Sequence, residues 1–455
     1  YVAFLSIDDD EVQPFREQIE YIFQWELPKC NNVFTSLKLA VAKDSRDLQQ
    51  ALNGKDPDSF YENAVTFSTV VLPLLELISI GVKKLQKQHF SFMFDDAEAL
   101  TNVQNAILNT WIASRSDPLV SFKVATSLVD QKPLETLSGG ELLERHDFIR
   151  VDMAQDFQNR EDSFHKLAKD IIHQRLINAQ QDTDPDVFFP VNEGMKRGLR
   201  EASELAKKHA KERYGDDRKK IVDFVYKYGR AYYFRNRSSK ANLPPYSGFD
   251  LLVNVSTGVI RYLLEPCYEM YDSALSKKGS GEKVNRIDPS IQTEVLHNLS
   301  TRRWEWIREG FGNSITGCSH DDAKRIYDLL DNIAILFKKR LHEHKSEPRA
   351  ITFIISETHR FDKMGDIERL LEIARRAQIL FRRSSGGKDK GQRVHYYTFD
   401  RLLWVSRGLD PVGQNAVVSI RAKYLWAAAY KRKEIPYSIQ GDGGREPIIN
   451  QQELF

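Results

Sequence analysis

Residues 89 to 100 read HFSFMFDDAEAL. Phe90, Phe92, Met93 and Phe94 are large and apolar and make a run of strand length. Asp95 and Asp96 stop the run, and Glu98 stands just beyond. The pattern predicts a β-strand fit for burial that ends in concentrated negative charge. Two readings compete. Either the acids do chemistry where the strand ends, or Asp96 merely caps the helix that follows.

Similar runs recur nearby. YVAFLSID from Tyr1, LVSFKVATS from Leu119 and DFIRVDM from Asp147 are each rich in aromatic or β-branched residues and bounded by polar ones. Their continuous rather than alternating apolar character predicts strands covered on both faces, as in a parallel sheet. Between two of them, EALTNVQNAILNTWIASR places Leu100, Val103, Ile107, Leu108 and Trp111 at helical spacing. This is an α/β arrangement.

From about residue 156 the pattern turns helical. FHKLAKDIIHQRLINAQ, KRGLREASELAKKHAKERYG and the more apolar STGVIRYLLEPCYEMYDSAL predict helices. KKGSGEK and its surroundings, 277 to 288, predict a linker. DDAKRIYDLLDNIAILFKKRLHEH begins with Asp and ends in basic residues, as the helix dipole favours. A strand (AITFIIS), a helix (DIERLLEIARRAQIL) and two β runs flanking RSSGGKDKGQ follow, the outline of a winged helix with a basic hairpin tip.

Composition bounds the function. At 455 residues the chain exceeds one ordinary core. Hydrophobic content of 41% with 29% charged residues describes a soluble globular protein. A net charge of +2 means that any nucleic-acid affinity must come from local patches. Cys30, Cys267 and Cys318 lie far apart, which argues against a zinc site or a disulfide framework and predicts a reducing, cytoplasmic setting. The longest apolar run, FSTVVLPLLELISIGV, carries Pro73 and Glu76 and is shorter than a bilayer span. Neither a transmembrane helix nor a signal peptide is expected. Tyr1 begins in mid-strand, so an excerpt of a longer chain is expected.

Three features in this order carry a resemblance: FSFMFDD; LVSFKVATS, ending in Thr126 and Ser127; and STGVIRYLLE, in which Gly258-x-x-Arg261 opens a helix. Together they resemble the initiator-type AAA+ P-loop ATPases, the origin-recognition-complex-like family. The resemblance spans residues 1 to 405 in architecture, although its motifs cover far fewer. It implies a nucleotide-binding α/β core with a parallel sheet over 1–155, lacking its N-terminal phosphate loop, and a helical lid over 156–276. A linker and helical connector over 277–320, a winged helix over 321–410 and a C-terminal extension over 411–455 would follow.

The same resemblance implies ATP and Mg²⁺ as cofactors. Asp95 would be the Mg²⁺ carboxylate, and Asp96, or alternatively Glu98, would handle the attacking water. Thr126, with Ser127 second, would hydrogen-bond the water or the γ-phosphate. Arg261 would read the γ-phosphate from the lid, where its planar fork of donors suits a phosphate. Arg145, with Arg150 and Arg115 as other candidates, would reach across a subunit interface of a homo-oligomer. Around the hairpin tip, Arg382, Arg383, Lys388, Lys390 and Arg393 would contact the DNA backbone, and Arg375 and Arg376 would extend the patch.

Simpler readings stand beside these: hydroxyls satisfying local backbone at Thr126, and solvated arginines and a solvated loop elsewhere. For the aromatic run YKYGRAYYFRNR, packing among helices is expected rather than base stacking.

One departure is serious. G-x-x-x-x-G-K followed by Ser or Thr is absent; KKGSGEKVN and SSGGKDKG lack the closing pair and do not lie between a strand and a helix. A loop upstream of Tyr1 is favoured over a nucleotide-dead relative. The expected function is thus an ATP-dependent switch on a DNA-associated complex, with slow hydrolysis because Asp is a methylene shorter than Glu. The alternatives are a defence or signalling NTPase whose winged helix binds an effector protein, and a DNA-binding protein with a dead nucleotide fold.

Overall fold

The computed structural model describes residues 16–22, 26–30, 33–53, 67–114, 119–127, 132–151, 161–181, 183–237, 244–278, 283–311, 315, 317–342, 348–386, 393–412 and 417–437. The expected first strand, YVAFLSID, lies outside them, as do Arg115, Lys388 and Lys390. Two compact units, Tyr1–Val151 and Asp152–Phe455, divide the chain.

The first unit is built around helix α1 (Val33–Asn53), a π-helical turn (Phe67–Val71) leading into α2 (Leu72–Gly81), strand β1 (Phe90–Phe94), α3 (Asn102–Ala113) and strand β2 (Val120–Val124). β1 and β2 pair in parallel with Phe90 opposite Val120 and Phe94 opposite Val124. The helix between them is the crossover that parallel neighbours need. One face of the pair is an aromatic layer: the Phe67 ring lies 5.4 Å from Phe92, 5.4 Å from Phe122 and 5.0 Å from Trp111 of α3. The other face corrects the expectation of double cover. There Ser91 bonds Ser121 at 3.0 Å, and Met93 is 74% exposed. β1 alternates in burial although its sequence does not, because serine is small enough to read as part of an apolar run.

DFIRVDM is also corrected. Its described part forms only an isolated bridge, Glu144 to Phe148, and Ile149 and Val151 are exposed. Hydrophobic residues alone do not make a strand without a partner edge. Residues 132–142 lie instead along α3, held by its polar side chains. Asn105 and Asn109 donate to the Pro133 carbonyl at 2.6 and 3.0 Å, and Thr110 accepts from the Leu137 N–H at 2.9 Å.

In the second unit one apolar core gathers α4 (Glu161–Asn178), α5 (Pro185–Phe188), α8 (Phe249–Val255), α9 (Ile260–Ser276) and α10 (Pro289–Glu309) around Phe188, Phe249, Leu263 and Leu296. The expected linker ends inside this core: Val284 and Ile287 are fully buried, and the Ile287 N–H donates to Phe188 at 2.8 Å.

A second core packs α6 (Glu193–Tyr214) and α7 (Arg218–Asn236) with α11 (His320–His342) and a four-stranded sheet. α6 offers Ala202, Ala206 and Ala210 at helical spacing, a low face on which the tyrosines of α7 settle. Gly198 is needed there, since a Cβ would lie 2.8 Å from the Tyr233 ring. YKYGRAYYFRNR is thus packing: Tyr228, Tyr232, Tyr233 and Phe234 are buried.

The sheet runs β4-β5-β3-β6, from β3 (Thr352–Ser356), β4 (Leu380–Gly386), β5 (Arg393–Phe399) and β6 (Val417–Arg421). α12 (Met364–Arg376) links β3 to β4, the four-residue α13 (Leu403–Ser406) follows β5, and α14 (Ala422–Lys431) follows β6. β4 and β5 form an antiparallel hairpin with Gly386 opposite Arg393, whereas β6 joins β3 in parallel. The expected mixed tail beyond Pro411 therefore contributes a strand and a helix.

A buried ion pair ties this core together. Arg230 of α7 grips Asp410 through both arms, Nε to Oδ2 at 2.9 Å and Nη2 to Oδ1 at 2.8 Å. Arg349 stands 3.8 Å from the same carboxylate and donates to the Tyr226 and Val412 carbonyls. Burial pushes the Asp410 carboxyl up, but Arg230 and Arg349 together hold it below its ordinary 3.8. Asp410→Asn leaves both guanidiniums without their counter-charge and should cost about 3 to 5 kcal/mol in urea unfolding at pH 7. The sign in pH follows from the depressed value. Asp410's stabilisation is present above about pH 4, is lost on acidification, and its loss should be missing from the Asn variant.

Candidate functional site

The carboxyl ends of β1 and β2 bring the sequence candidates to one edge. After Phe94 and Val124 the two chains stay aligned: the Ala125 N–H donates to Phe94 at 2.8 Å, and the Ala97 N–H donates to Ala125 at 3.1 Å. Asp95, Asp96 and Thr126 all follow directly on these strand ends and are exposed. Glu98, half-buried in the 3₁₀ turn Ala97–Ala99, reaches across and accepts from the Ser127 N–H at 3.1 Å. Open parallel sheets bind ligands at this end of their strands.

The turn at Asp96 makes the arrangement possible. Its backbone is left-handed, φ 51° and ψ 42°, a conformation that costs most residues about 1 to 2 kcal/mol but that Asp tolerates better than bulkier types. This reversal aims the Ala97 N–H at the neighbouring strand instead of continuing β1. The capping explanation for Asp96 fails. No side-chain cap bond forms there, and α3 is capped by Thr101 and Gln104, each accepting from the other's backbone N–H at 3.2 and 2.9 Å.

Chemically the edge is a set of hard oxygens. Asp95 commits Oδ1 to the Asp96 N–H at 3.0 Å, which leaves its second oxygen for a ligand. Asp96 has no such commitment among the described residues. Glu98 is occupied by Ser127, and of the two acids weighed for water it is the one already serving as a strut. Among the described residues, no group of three or more His, Cys, Asp or Glu side chains stands together to hold a metal ion, so this edge offers single carboxylate oxygens rather than a closed metal cage.

The remaining candidates lie elsewhere. Arg145 is exposed in a left-handed turn, φ 71°, whose N–H donates to Phe148 at 2.7 Å. Arg150 lies 4.0 Å from Glu144 and over the Phe148 ring. Arg261, in the second unit, is the second residue of α9 and exposed. Arg382 and Arg383 are exposed on β4, the first near Tyr397 and the second 5.3 Å over the Tyr396 ring. Arg393 opens β5. Arg375 is paired with Glu372 at 2.5 Å, so it adds less to this patch than its position suggests.

Sequence reading missed a polar cluster beside Arg261. Tyr262, Arg303 of α10, Gln378 and Asp400 meet there although they are far apart in the chain. Asp400 is fully buried; burial pushes its carboxyl up to about 6, against the pull of Arg303. Only the position of Tyr262 next to the Gly-x-x-Arg stretch hinted at it.

The strut role of Glu98 gives a test. Glu98→Gln keeps an acceptor for the Ser127 N–H and should leave the melting of the first unit nearly unchanged. Glu98→Ala removes the acceptor and should lose about 1 kcal/mol, measured by denaturant titration.

The family model for ORC-CDC6-like proteins matches residues 4–221 and 192–420. No curated protein and no solved structure matches the chain. Among the described residues, no helix is long and apolar enough to cross a membrane. The match extends over the acidic edge, the Gly-x-x-Arg turn and the β4–β5 hairpin alike, so the chain belongs to the ORC-CDC6-like family and is an AAA+ protein of the initiator type.

Proposed function

We propose that the protein is an ATP-binding AAA+ switch that assembles as a homo-oligomer on DNA and regulates the complex formed there. The observation that carries this reading is the parallel register that sets Asp95, Asp96 and Thr126 on one edge in a chain of this family. Asp95 would hold Mg²⁺ through its uncommitted oxygen. Asp96 is the residue that orients or deprotonates the attacking water, and Thr126 hydrogen-bonds it. Mg²⁺, when bound, would supply neutralisation of the phosphate charge. Arg261 reads the γ-phosphate, and Arg145 is the arginine offered to a neighbouring subunit. The sequence has no G-x-x-x-x-G-K stretch closed by Ser or Thr, so no residue is assigned to cradle the phosphates.

The second unit serves as lid and DNA-contacting module. α11, β3, α12 and the β4–β5 hairpin follow the order of a winged helix, with the bounds 156–276, 277–320, 321–410 and 411–455 for lid, connector, winged helix and extension. Arg382, Arg383 and Arg393, with Lys388 and Lys390 at the tip, give affinity through the phosphate backbone rather than base readout. The setting is cytoplasmic.

A second reading has its own observation. Exposed positions on α12 include Asp366 and Glu368, and Arg369 is engaged with Asp322 at 2.6 Å. Arg369 and Arg376 are exposed there as well, so the face mixes acids with bases and is not a plain basic patch for a phosphate backbone. Such a mixed face suits a protein surface of complementary charge, as in a defence or signalling NTPase with an effector partner.

Two measurements decide. Mg·ATP turnover of the full-length protein should fall at least a hundredfold in Asp96→Asn and in Asp95→Ala; equal turnover in all three proteins rejects the assigned chemistry. Turnover absent from the wild type as well points to the dead nucleotide fold. For DNA, Arg382→Glu with Arg383→Glu should weaken duplex binding at least tenfold and reduce the slope of log K against log salt by about 2. Unchanged, salt-insensitive binding favours the protein-partner reading.

A further inference from the structure

α14 and the residues at its end carry a basic surface that neither the acidic edge nor the hairpin uses. Residues 421–433 read RAKYLWAAAYKRK, with five basic residues and no acid. Ala422, Leu425, Ala428 and Ala429 are buried, which leaves Lys423, Ala427, Tyr430 and Lys431 on the outer face of the helix. Arg432 ends α14 in a left-handed turn, φ 51°, and the Lys433 N–H returns to the Ala427 carbonyl at 3.1 Å.

Two of the five charges are committed within the fold. Buried Arg421 lies 3.4 Å from Glu357, and Arg432 donates to Asp328 at 2.8 Å. Lys423, Lys431 and Lys433 are exposed and have no acid partner among the described residues. Acids that border them are engaged elsewhere: Asp366 accepts from the Trp426 indole N–H at 3.0 Å, and Glu434 pairs with Lys339. Asp362 is exposed next to Lys363 in the chain and offsets it, so Lys363 adds no charge to the count.

Aromatic rings steady two of the lysines instead. Lys431 Nζ lies 5.2 Å from the Trp426 ring, and Lys423 Nζ lies 5.1 Å from the Tyr424 ring. Trp426 is itself stacked on Tyr430, 5.1 Å away and 11° from parallel. A ring attracts an ammonium without neutralising it, so the charge stays available to a partner.

The chemistry of the face narrows that partner. Tyr424, Trp426 and Tyr430 are all half-buried, and the small Ala427 stands at the centre. Such a face has no projecting apolar side chain to insert into a lipid surface or to anchor in a protein pocket. Its rings already carry cations and are not open to stacked bases. What remains is an array of point charges around a low centre that lets the helix approach closely. Lys423 and Lys431 stand about 12 Å apart along the helix, a length over which duplex DNA carries about seven phosphate charges. α14 follows β6, which lies at the opposite edge of the sheet from β4.

We infer that the outer face of α14 is a second nucleic-acid surface, on which Lys423, Lys431 and Lys433 take the phosphate backbone of a DNA duplex separately from the β4–β5 hairpin. This rests on the reading of the second unit as a DNA-contacting module and assigns to it a contact outside the hairpin. Lysines set on a backbone give affinity without reading sequence.

The test uses the full-length protein and a fluorescent DNA duplex, titrated between about 50 and 200 mM salt. Lys423→Gln, Lys431→Gln and Lys433→Gln combined should weaken binding at least tenfold and lower the slope of log K against log salt by about 3. All three side chains are exposed, so the thermal melt should not move. Arg382→Glu with Arg383→Glu separates this surface from the hairpin. Weaker binding in both variants supports the inference. Weaker binding in the lysine variant alone supports it and rejects the hairpin reading. Unchanged binding in the lysine variant overturns the inference, and the hairpin reading then stands if the arginine variant binds more weakly. A wild type that binds no duplex overturns both. Phosphatidylserine vesicles and polyglutamate serve as the other polyanions. If the lysine variant loses either of these while keeping the duplex, the inference is overturned in favour of a lipid or an acidic protein.

Discussion

In the parallel pairing of β1 with β2, Phe94 sits opposite Val124, and both strands stop on that line. A slip of one residue would turn every side chain of β2 to the opposite face and separate Thr126 from the acids. The aromatic layer resists that slip. Phe92 and Phe122 stack at 5.7 Å under the ring of Phe67, which also meets Trp111. Aromatic pairs of this kind contribute about 0.5 to 1.5 kcal/mol each beyond their buried area. The opposite face carries only Ser91, Met93, Ser121 and Lys123, so the register is held from one side. The placement of the charged edge is a consequence of hydrophobic packing some residues away from it.

Much of this was legible because the signals are local. Strand-length apolar runs, the helical period of EALTNVQNAILNTWIASR and the basic Gly-rich turn each declare an element within a dozen residues, and β1, α3, β2 and the β4–β5 hairpin lie where those signals put them. Double cover of β1 was misread because a serine in an apolar run says nothing about which neighbour it meets. DFIRVDM failed for a related reason: strand propensity does not supply a partner. β6 and its parallel pairing with β3 were hidden because a pairing across some 60 residues leaves no trace in either segment alone.

At the site, residue types were legible and commitments were not. Nothing in DDAEAL distinguishes Asp95, Asp96 and Glu98 as acids. Only the fold assigns Glu98 to Ser127, frees Asp96 through a left-handed turn and gives the cap of α3 to Thr101. Its bond to the Ser127 N–H makes Glu98 a brace between the two strand ends, whereas Asp96 has no such bond among the described residues. The different commitments of three neighbouring carboxylates come from the fold rather than from residue identity.

The second unit uses buried charge in two contrasting ways. At Asp410 two guanidiniums and a backbone N–H complete the carboxylate, which stays ionised and locks α7 to the segments around Arg349 and Val412. At Asp400 the Leu402 N–H donates to Oδ1 at 3.1 Å, but the single arginine stands 3.4 Å away with its Nε unsatisfied, and the carboxyl is pushed up to about 6. A fully satisfied buried pair has one good arrangement and costs several kcal/mol to break. A partly satisfied pair loses less when it is broken. The firm hold at Asp410 and the weaker one at Asp400 therefore follow from the same rule, and the joint beside Arg261 contains the weaker pair.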